Sequence, residues 1–306
     1  MTEVTGYRRP DGSVGTRNLV LNVPVVVCST LVSAEVARQT GAVTLTHQHG
    51  CGHIGDDVDH TEVTYVALAT HPNVAESIVF SLGCETLQGP RVERRIAERG
   101  GTTQLVGIQS SGGAEPATRA GLAVVTEAVA RSRSERESVQ ASDISIGFVL
   151  QRHSDTCLDL ISKARTAGMR VIIAGVSEFV SEALAMLGGS VADLEYAERA
   201  DAPVSVWPAE ERGSAGALTV AIAGAQVLVV APEANQLPTG VPVAPVVVVG
   251  ASSGLHALIH DDIDLTEGAD ADEAWGRLLE IVNGSPSKLE SRANGDVVIP
   301  RLRRTM

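Results

Sequence analysis

The chain has 306 residues, of which 44% are hydrophobic and only 3% aromatic, and its formal net charge is −13. This length exceeds the usual size of a single hydrophobic core, so it favours two domains. The acidic charge argues against a nucleic-acid partner, because phosphate binding requires clustered Lys and Arg. A small anionic substrate is still compatible with it, since a local group of basic side chains can outweigh the overall sign.

Neither a secretion signal nor a membrane span is expected. The first 11 residues are polar and lack the apolar run of a signal peptide. The longest apolar stretch, residues 19–28, contains Asn22 and Pro24 and is much shorter than the ~20 residues that span a bilayer. We therefore expect a cytoplasmic protein whose four cysteines are thiols, metal ligands or core residues rather than disulfides.

Apolar runs alternate with helical periods through the first half, which is the pattern of βαβ units. The predicted elements are a strand at 19–27, a helix at 34–39 with Ser29 as N-cap, a strand at 42–46, a helix at 57–70, a strand at 77–82, a helix at 91–99, a strand at 104–108 and a helix at 116–130. This order predicts one doubly wound layer.

Residues 131–143 are polar and lack an apolar period, so they predict a solvated linker and a domain boundary between residues 138 and 139. The elements predicted beyond it are strands at 144–150, 171–174, 226–230 and 246–249 and helices at 156–167, 178–187 and 270–282. The predicted fold class is therefore α/β, with two doubly wound, mostly parallel sheet domains of Rossmann-like type at residues 1–138 and 139–306.

The densest group of reactive side chains is the His-Gln-His-Gly-Cys-Gly-His run at residues 47–53, between a predicted strand and a predicted helix. Ligands bind at the carboxyl ends of strands in open α/β sheets, so the position indicates a site. Imidazole and thiol groups together suit iron, zinc or manganese. The alternative is a loop whose histidines are satisfied by neighbouring carbonyl groups.

Two further strand ends carry candidate groups. Cys84, with Glu85 beside it, follows the strand at 77–82 and can lie next to the first loop, although a lone strand-terminal cysteine is more often a small buried hydrophobe. A glycine-rich turn follows the strand at 104–108, and its backbone N–H groups either hold an anion or serve only as a turn. The residues of this turn that we single out are Gln109, Ser110, Gly112 and Gly113.

Three residues outside these loops are candidates for binding an acid. Arg17 could clamp a carboxylate by a bidentate pair, with Asn18 beside it, or it could form a surface ion pair. Glu178 could supply a carboxylate to a site, or it could be the first-turn acid of a helix that Ser177 caps.

Taken together, these motifs resemble the altronate/galactarate dehydratase family, which also contains the large subunit of sulfolactate sulfo-lyase. The resemblance covers about residues 6–125 and lies in Gly6-Tyr7-Arg8-Arg9-Pro10-Asp11-Gly12, Gly15-Thr16-Arg17-Asn18, His47-Gln48-His49-Gly50-Cys51-Gly52, Gly55-Asp56-Asp57, His71-Pro72-Asn73 and Gly83-Cys84-Glu85. The second half is less similar: where family members carry Glu-Cys-Gly-Gly-Ser-Asp, Arg152 stands in the apparent place of the cysteine.

The resemblance implies a hydro-lyase that converts an aldonate or aldarate, such as altronate or galactarate, into a 2-keto-3-deoxy acid with the help of a divalent metal. We hypothesise Fe²⁺, with Mn²⁺ as the alternative, on Cys51, Cys84 and His49, with His47, His49 and Glu85 in proton transfer. The substrate would be bound by Arg17, Asn18, Gln109, Ser110, Gly112, Gly113 and Glu178.

Partners and rival functions follow from the same resemblance. Family members need a small β-rich domain that this chain lacks, so a separate small β-rich subunit is implied, and we also expect a homo-oligomer. One rival is a sulfo-lyase acting on sulfolactate. The other is a diverged, non-catalytic subunit that binds a small anion; Arg152 favours it, whereas Cys84 and the intact loop at 47–52 oppose it.

Overall fold

The computed structural model describes residues 3–51, 53–211, 213–237, 239–293, 295–299 and 302. Contacts divide these residues into two compact units. The first unit comprises residues 18–135 with residues 299 and 302, and the second comprises residues 3–17 and 136–298. The segment at 3–17, which the sequence analysis placed in the first domain, thus packs with the second unit.

The strands and helices of the described residues, in chain order, are β1 Val4–Arg8, β2 Val14–Gly15, β3 Leu19–Pro24, α1 Val27–Thr40, β4 Val43–Thr44, α2 Asp56–Ala69, β5 Val74–Ser81, α3 Gly89–Glu98, β6 Thr103–Gly107, α4 Ala114–Arg131, β7 Glu137–Val139, β8 Ser145–Leu150, α5 Asp155–Thr166, β9 Arg170–Gly175, α6 Ser177–Leu187, β10 Ala192–Asp193, β11 Val204–Glu210, α7 Ser214–Ile222, β12 Val227–Ala231, β13 Val246–Gly250, β14 Leu265–Thr266, α8 Ala271–Val282 and α9 Lys288–Ser291.

The first unit is built on a four-stranded parallel sheet in the order β4-β3-β5-β6. One of its two inner strands, β5, is almost entirely buried, as expected when helices cover both faces of a parallel sheet. Ile78 and Phe80 of β5 pack in one core with Val36 of α1 and Val125 of α4. Helix α4 approaches closely, because a Cβ atom added at Gly121 would lie 2.9 Å from the Phe80 ring.

The second unit contains a seven-stranded sheet in the order β10-β11-β9-β8-β12-β13-β14, in which every neighbouring pair is parallel. A three-stranded antiparallel sheet, β2-β1-β7, accompanies it. The predicted fold class, α/β with mostly parallel sheets, is therefore confirmed. Within the described part of the chain, no helix combines the length and apolar character needed to cross a membrane.

The predicted solvated linker at 131–143 is wrong. Strand β7 lies inside it and pairs antiparallel with β1, with Val139 opposite Val4. Arg136 is also held there, since its guanidinium donates hydrogen bonds to the backbone oxygens of Thr5, Thr16 and Val282. The segment is polar because β7 is an edge strand of its sheet and because its charged side chains form hydrogen bonds and ion pairs with other residues of the second unit.

The start of the first helix also differs from its prediction. Strand β3 ends at Pro24 and α1 begins at Val27, with Val26 at the N-cap position. Ser29 lies inside the first turn and donates its hydroxyl to the Val26 carbonyl, so it is not the cap. The apolar run that predicted a longer strand continues through the buried turn residues Val25 and Val26 and ends at Val27, which is exposed at the start of α1.

Candidate functional site

The carboxyl ends of β3, β4, β5 and β6 lie at one edge of the four-stranded sheet, because all four strands are parallel. Four connections leave this edge: the turn into α1, the loop at 45–55, the loop at 82–88 and the turn at 108–113. The sequence predicted reactive groups in the last three of them. Their geometry decides whether they form one site.

Backbone contacts join the histidine loop to its neighbours on both sides. On one side, the Val27 amide at the start of α1 donates a hydrogen bond to the His49 carbonyl oxygen at 3.0 Å. On the other, the Thr86 hydroxyl donates to the Cys51 carbonyl oxygen at 3.0 Å. The loop at 47–51 therefore lies between the turn that follows β3 and the loop that follows β5.

The loop after β5 is joined in turn to the one after β6. Gly83 has φ = 119°, and a Cβ atom added there would lie 2.6 Å from Oε1 of Gln109. The backbone N–H group of Gln109 also donates a hydrogen bond to the Leu82 carbonyl oxygen at 3.0 Å. Only glycine permits both the backbone conformation and this close approach. The structure thus brings Cys84, Glu85 and Gln109 to the same edge as the histidine loop.

Three imidazole rings cluster in the histidine loop. His47 and His53 are buried, whereas His49 is partly exposed. The ring centroids of His49 and His53 are 4.4 Å apart, and those of His47 and His49 are 5.9 Å apart. The two histidines predicted as catalytic therefore lie together, and His53, for which no separate role was predicted, lies beside them.

Tyr65 of α2 determines which ring nitrogen of the neutral His47 carries the proton. Its hydroxyl donates to the Thr46 carbonyl oxygen at 3.2 Å, so its own oxygen accepts from Nδ1–H of His47 at 2.9 Å. This leaves Nε2 of His47 as a hydrogen-bond acceptor. Burial lowers the pKa of His47 to about 3, with further lowering by His49 and His53, so the ring is neutral at physiological pH. Tyr65 was not predicted as a site residue, because its spacing on α2 matches that of core residues.

Glu85 is the carboxylate of the site. Its side chain is only 2% exposed, and Oε2 accepts a hydrogen bond from the Gly83 amide at 2.5 Å. Among the described residues, nothing donates a hydrogen bond to Oε1, which is also shielded from solvent. A buried carboxylate oxygen is costly unless a proton or a ligand satisfies it. Oε1 of Glu85 is therefore available to a proton or to a ligand at this edge of the sheet.

All four cysteines are free thiols, as expected. Cys51 and Cys84 are exposed, and so is Cys28 in the first turn of α1. Across the part of the chain that the structure describes, no three His, Cys, Asp or Glu side chains are grouped closely enough to hold one metal ion. The side chains of Cys51, Cys84 and His49 therefore do not fit a closed mononuclear site in this conformation.

The glycines of the turn at 108–113 mainly stabilise the turn itself. The Gly112 amide donates to the Gln109 carbonyl at 3.1 Å, and the Gly113 amide donates to the Ile108 carbonyl at 2.9 Å. These two N–H groups are thus engaged within the turn, which corrects the expectation that they bind an anion. Ser110 donates to the Gly107 carbonyl at 3.1 Å. The Gln109 side chain stays at the edge, beside Gly83.

Arg17 belongs to the second unit and is fully engaged there, which corrects its predicted role as a substrate clamp. Its guanidinium forms a bidentate ion pair with Glu290, at 2.6 and 2.8 Å. It also donates to the carbonyl oxygens of Thr16, Ile281 and Ser285. Five acceptors match the five N–H donors of the group, so no donor is left for a carboxylate ligand.

Asn18 and Glu178 also lie away from the carboxyl edge of the first sheet. Asn18 precedes β3, at the opposite edge, and its amide donates to the Ser132 carbonyl and to the Ser134 hydroxyl. Asn18 therefore cannot reach the loops of the site. Glu178 lies in the exposed first turn of α6 in the second unit, where its charge favours the helix N-terminus.

Arg152, at which the chain departs from the resembled family, lies after β8 and contacts the ends of two neighbouring strands. It pairs with Glu267 at 2.7 Å and donates to the carbonyl oxygens of Pro232 and Val249, which follow or end β12 and β13. Cys157 does not take the missing thiol's place. It is buried in the core, and burial raises its pKa to about 12.

The fold and the site define the first unit as a parallel α/β unit with imidazole, thiol and carboxylate groups at its strand ends. The family described as D-galactarate dehydratase/altronate hydrolase, second domain, matches residues 6–133. The similarity to that family therefore lies in this segment of the chain.

Three relatives are similar to the chain over part of its length. An altronate dehydratase of Bacillus subtilis is 28% identical over 155 residues, which cover 47% of this chain and 31% of the relative. An altronate dehydratase of Escherichia coli is 31% identical over 97 residues, covering 28% and 20%. The (2R)-sulfolactate sulfo-lyase subunit beta of Chromohalobacter salexigens is 37% identical over 78 residues, covering 25% and 20%. The chain thus matches a third or less of the length of each relative.

Proposed function

We propose that this chain carries the site of a hydro-lyase that removes water from a sugar acid, an aldonate or aldarate such as altronate or galactarate, and forms a 2-keto-3-deoxy acid. The buried carboxylate of Glu85, with an oxygen that no described residue satisfies, is the observation that carries the proposal. It lies on the loop that Thr86 joins to the histidine loop. The family match and two relatives named altronate dehydratase support the reaction class.

The chemistry assigns one step to each kind of side chain. Glu85 takes the proton from the carbon next to the substrate carboxylate, which leaves an enediolate. The hydroxyl group on the next carbon leaves as water after receiving a proton, and we propose the partly exposed His49 as the donor of that proton. The resulting enol tautomerises to the 2-keto acid, so the net change is the loss of one water molecule. Neutral His47 accepts a hydrogen bond from a substrate hydroxyl through Nε2.

Substrate hydroxyl groups would be bound by the residues that follow β6. The side-chain amide of Gln109 lies beside Gly83, which precedes Glu85 by two residues in the chain. Ser110, the next residue after Gln109, is exposed. Amide and hydroxyl groups both donate and accept, which suits a polyhydroxylated acid.

A divalent metal, Fe²⁺ or Mn²⁺, would stabilise the negative charge of the enediolate. We propose Cys51, Cys84 and His49 as its ligands, on the strength of their donor chemistry and of the contact between their loops. Because these side chains are not grouped around one point, binding requires them to rotate or a donor from outside this chain to join them.

A separate small β-rich subunit and a homo-oligomer are proposed as partners. The support is that one similar protein is named as a subunit.

One alternative within the same chemistry is expulsion of sulfite from sulfolactate. The similarity to the sulfo-lyase subunit, at 37% identity, favours it. A non-catalytic subunit that binds a small anion is the other alternative, and the ion pair between Arg152 and Glu267 favours it.

A product assay separates these functions. The purified chain, with ferrous iron and with its co-purified partner, is incubated with altronate, galactarate and sulfolactate under reducing conditions, and the products are identified by mass spectrometry. We expect a product lighter than the sugar acid by one water molecule. Sulfite from sulfolactate alone would support the sulfo-lyase, and binding of all three acids without conversion would support the non-catalytic subunit.

A further inference from the structure

We propose that helix α2 positions the imidazole groups of the site, with Tyr65 as the positioning residue of His47 and Thr61 as that of His53. The effect on turnover rests on the proposed function, whereas the state of the two rings does not depend on it. The observation that carries the proposal is that two buried hydroxyl groups on one face of the helix each contact a different histidine of the loop.

The two hydroxyl-bearing side chains lie on the same face of α2. Thr61 and Tyr65 are four residues apart in the helix, a spacing that makes two side chains neighbours on its surface. Each is only 1% exposed. Apolar side chains would be enough to pack this face, whereas a buried hydroxyl group needs a hydrogen-bond partner. For both residues that partner is an imidazole of the histidine loop.

Tyr65 holds both the ring of His47 and the backbone before it. Its hydroxyl oxygen lies 2.9 Å from Nδ1 of His47, and the two ring centroids are 5.4 Å apart at an interplanar angle of 72°. The same hydroxyl group donates to the carbonyl oxygen of Thr46 at 3.2 Å. One hydroxyl group thus restrains the start of the loop and the rotation of the imidazole, and it keeps Nε2 of His47 as the acceptor that the proposed function uses.

Thr61 holds the second buried ring, and that ring supports His49. The Thr61 hydroxyl oxygen lies 3.4 Å from Nε2 of His53. The ring of His53 packs against that of His49, with the planes tilted by 43° and the centroids 4.4 Å apart. His49 is the partly exposed ring assigned to protonate the leaving hydroxyl group. A fixed His53 therefore limits the directions in which the His49 ring can turn.

Tyr65 and Thr61 act through the histidines that they contact, so they are positioning residues. In a neutral imidazole one ring nitrogen carries the proton, and the hydrogen bond made by that nitrogen decides the role of the other. A His47 ring with its proton on Nε2 would present a donor to the substrate hydroxyl group in place of an acceptor. Loss of the Tyr65 hydroxyl group should therefore change the tautomer of His47 and weaken substrate binding.

Nitrogen-15 NMR of the full chain, labelled at histidine, tests the positioning without any substrate. Long-range proton–nitrogen correlation spectra distinguish the protonated ring nitrogen from the unprotonated one, and a His47→Gln variant assigns the His47 signals. We expect His47 of the parent to be protonated at Nδ1. Tyr65→Phe keeps the aromatic ring and should move His47 to the Nε2–H tautomer or to a mixture of the two. Thr61→Val, which changes the same helix face, should alter the His53 signals and leave the His47 tautomer unchanged.

Steady-state kinetics supply a second readout. Tyr65→Phe should lower kcat/KM on the productive sugar acid about tenfold, the equivalent of one hydrogen bond. The loss should lie mainly in a higher KM, because the contact with Nε2 is made in the bound substrate as well as in the transition state. Tyr196→Phe is the control, since Tyr196 lies in the second unit with its ring beside Trp207, and it should change neither readout. Circular dichroism verifies that each variant is folded.

The NMR result decides the inference separately from the activity. A parent chain with His47 protonated at Nε2, or a Tyr65→Phe variant that keeps the Nδ1–H tautomer, would overturn it. An unchanged KM in a Tyr65→Phe variant that has lost this tautomer would overturn the role of Tyr65 in substrate binding. A parent chain that shows the expected tautomer and converts no sugar acid would refute the proposed function and leave the positioning of the rings intact.

Discussion

Replacing Glu85 with glutamine should lower kcat on the productive sugar acid by about 10²–10⁴-fold, the usual contribution of a positioned acid–base group. Glutamine keeps the size of the side chain, and its carbonyl oxygen can still accept from the Gly83 amide. It removes only the capacity to take a proton at the oxygen that the described residues leave unsatisfied. Steady-state kinetics should therefore show a loss in kcat with little change in KM.

The matched control is Glu98→Gln. This carboxylate is 65% exposed at the end of α3 and pairs with Arg94 on the helix surface. It should change neither kcat nor KM, because an exposed pair of this kind contributes little. A Glu85→Gln enzyme that works within about threefold of the parent would remove Glu85 from the proton-transfer step.

Replacing Arg17 with alanine should lower the free energy of unfolding by about 3 kcal/mol or more. The guanidinium is only 11% exposed on its side chain, and Glu290 would lose its ion-pair partner. Three backbone carbonyl groups would lose a charged donor as well. Urea denaturation followed by circular dichroism measures the loss.

Arg38→Ala is the comparison for Arg17. Arg38 pairs with Glu35 on the surface of α1, where its side chain is 70% exposed, so its removal should lower the free energy of unfolding far less than the removal of Arg17 does. If the Arg17→Ala variant were as stable as Arg38→Ala and instead bound the substrate more weakly, the carboxylate-clamp role first assigned to Arg17 would return.

The parallel sheets could be predicted from sequence because each βαβ unit is encoded locally. Strands such as β5 and β8 are short apolar runs between helical periods, and their predicted bounds differ from the observed ones by a few residues. Strands β1 and β7 were missed because they pair with each other, although the whole first unit lies between them in the sequence. Helix α7 was missed because it is buried all round and has no polar face to give a helical period.

The candidate site was predictable to the extent that it follows one topological rule. Reactive residues after parallel strands meet at one edge, which is why Cys84, Glu85 and Gln109 lie beside the histidine loop. The partner of Arg17, Glu290, lies 273 positions away, a distance over which single-sequence patterns carry no information.

Hydrogen–deuterium exchange with and without galactarate or altronate tests most directly whether the strand-end loops of the first unit form one binding site. We expect the bound acid to slow exchange together in residues 47–51, 83–88 and 108–113, and to leave α6 of the second unit unchanged. Slower exchange confined to the second unit, or to only one of the three loops, would contradict a shared site at this sheet edge.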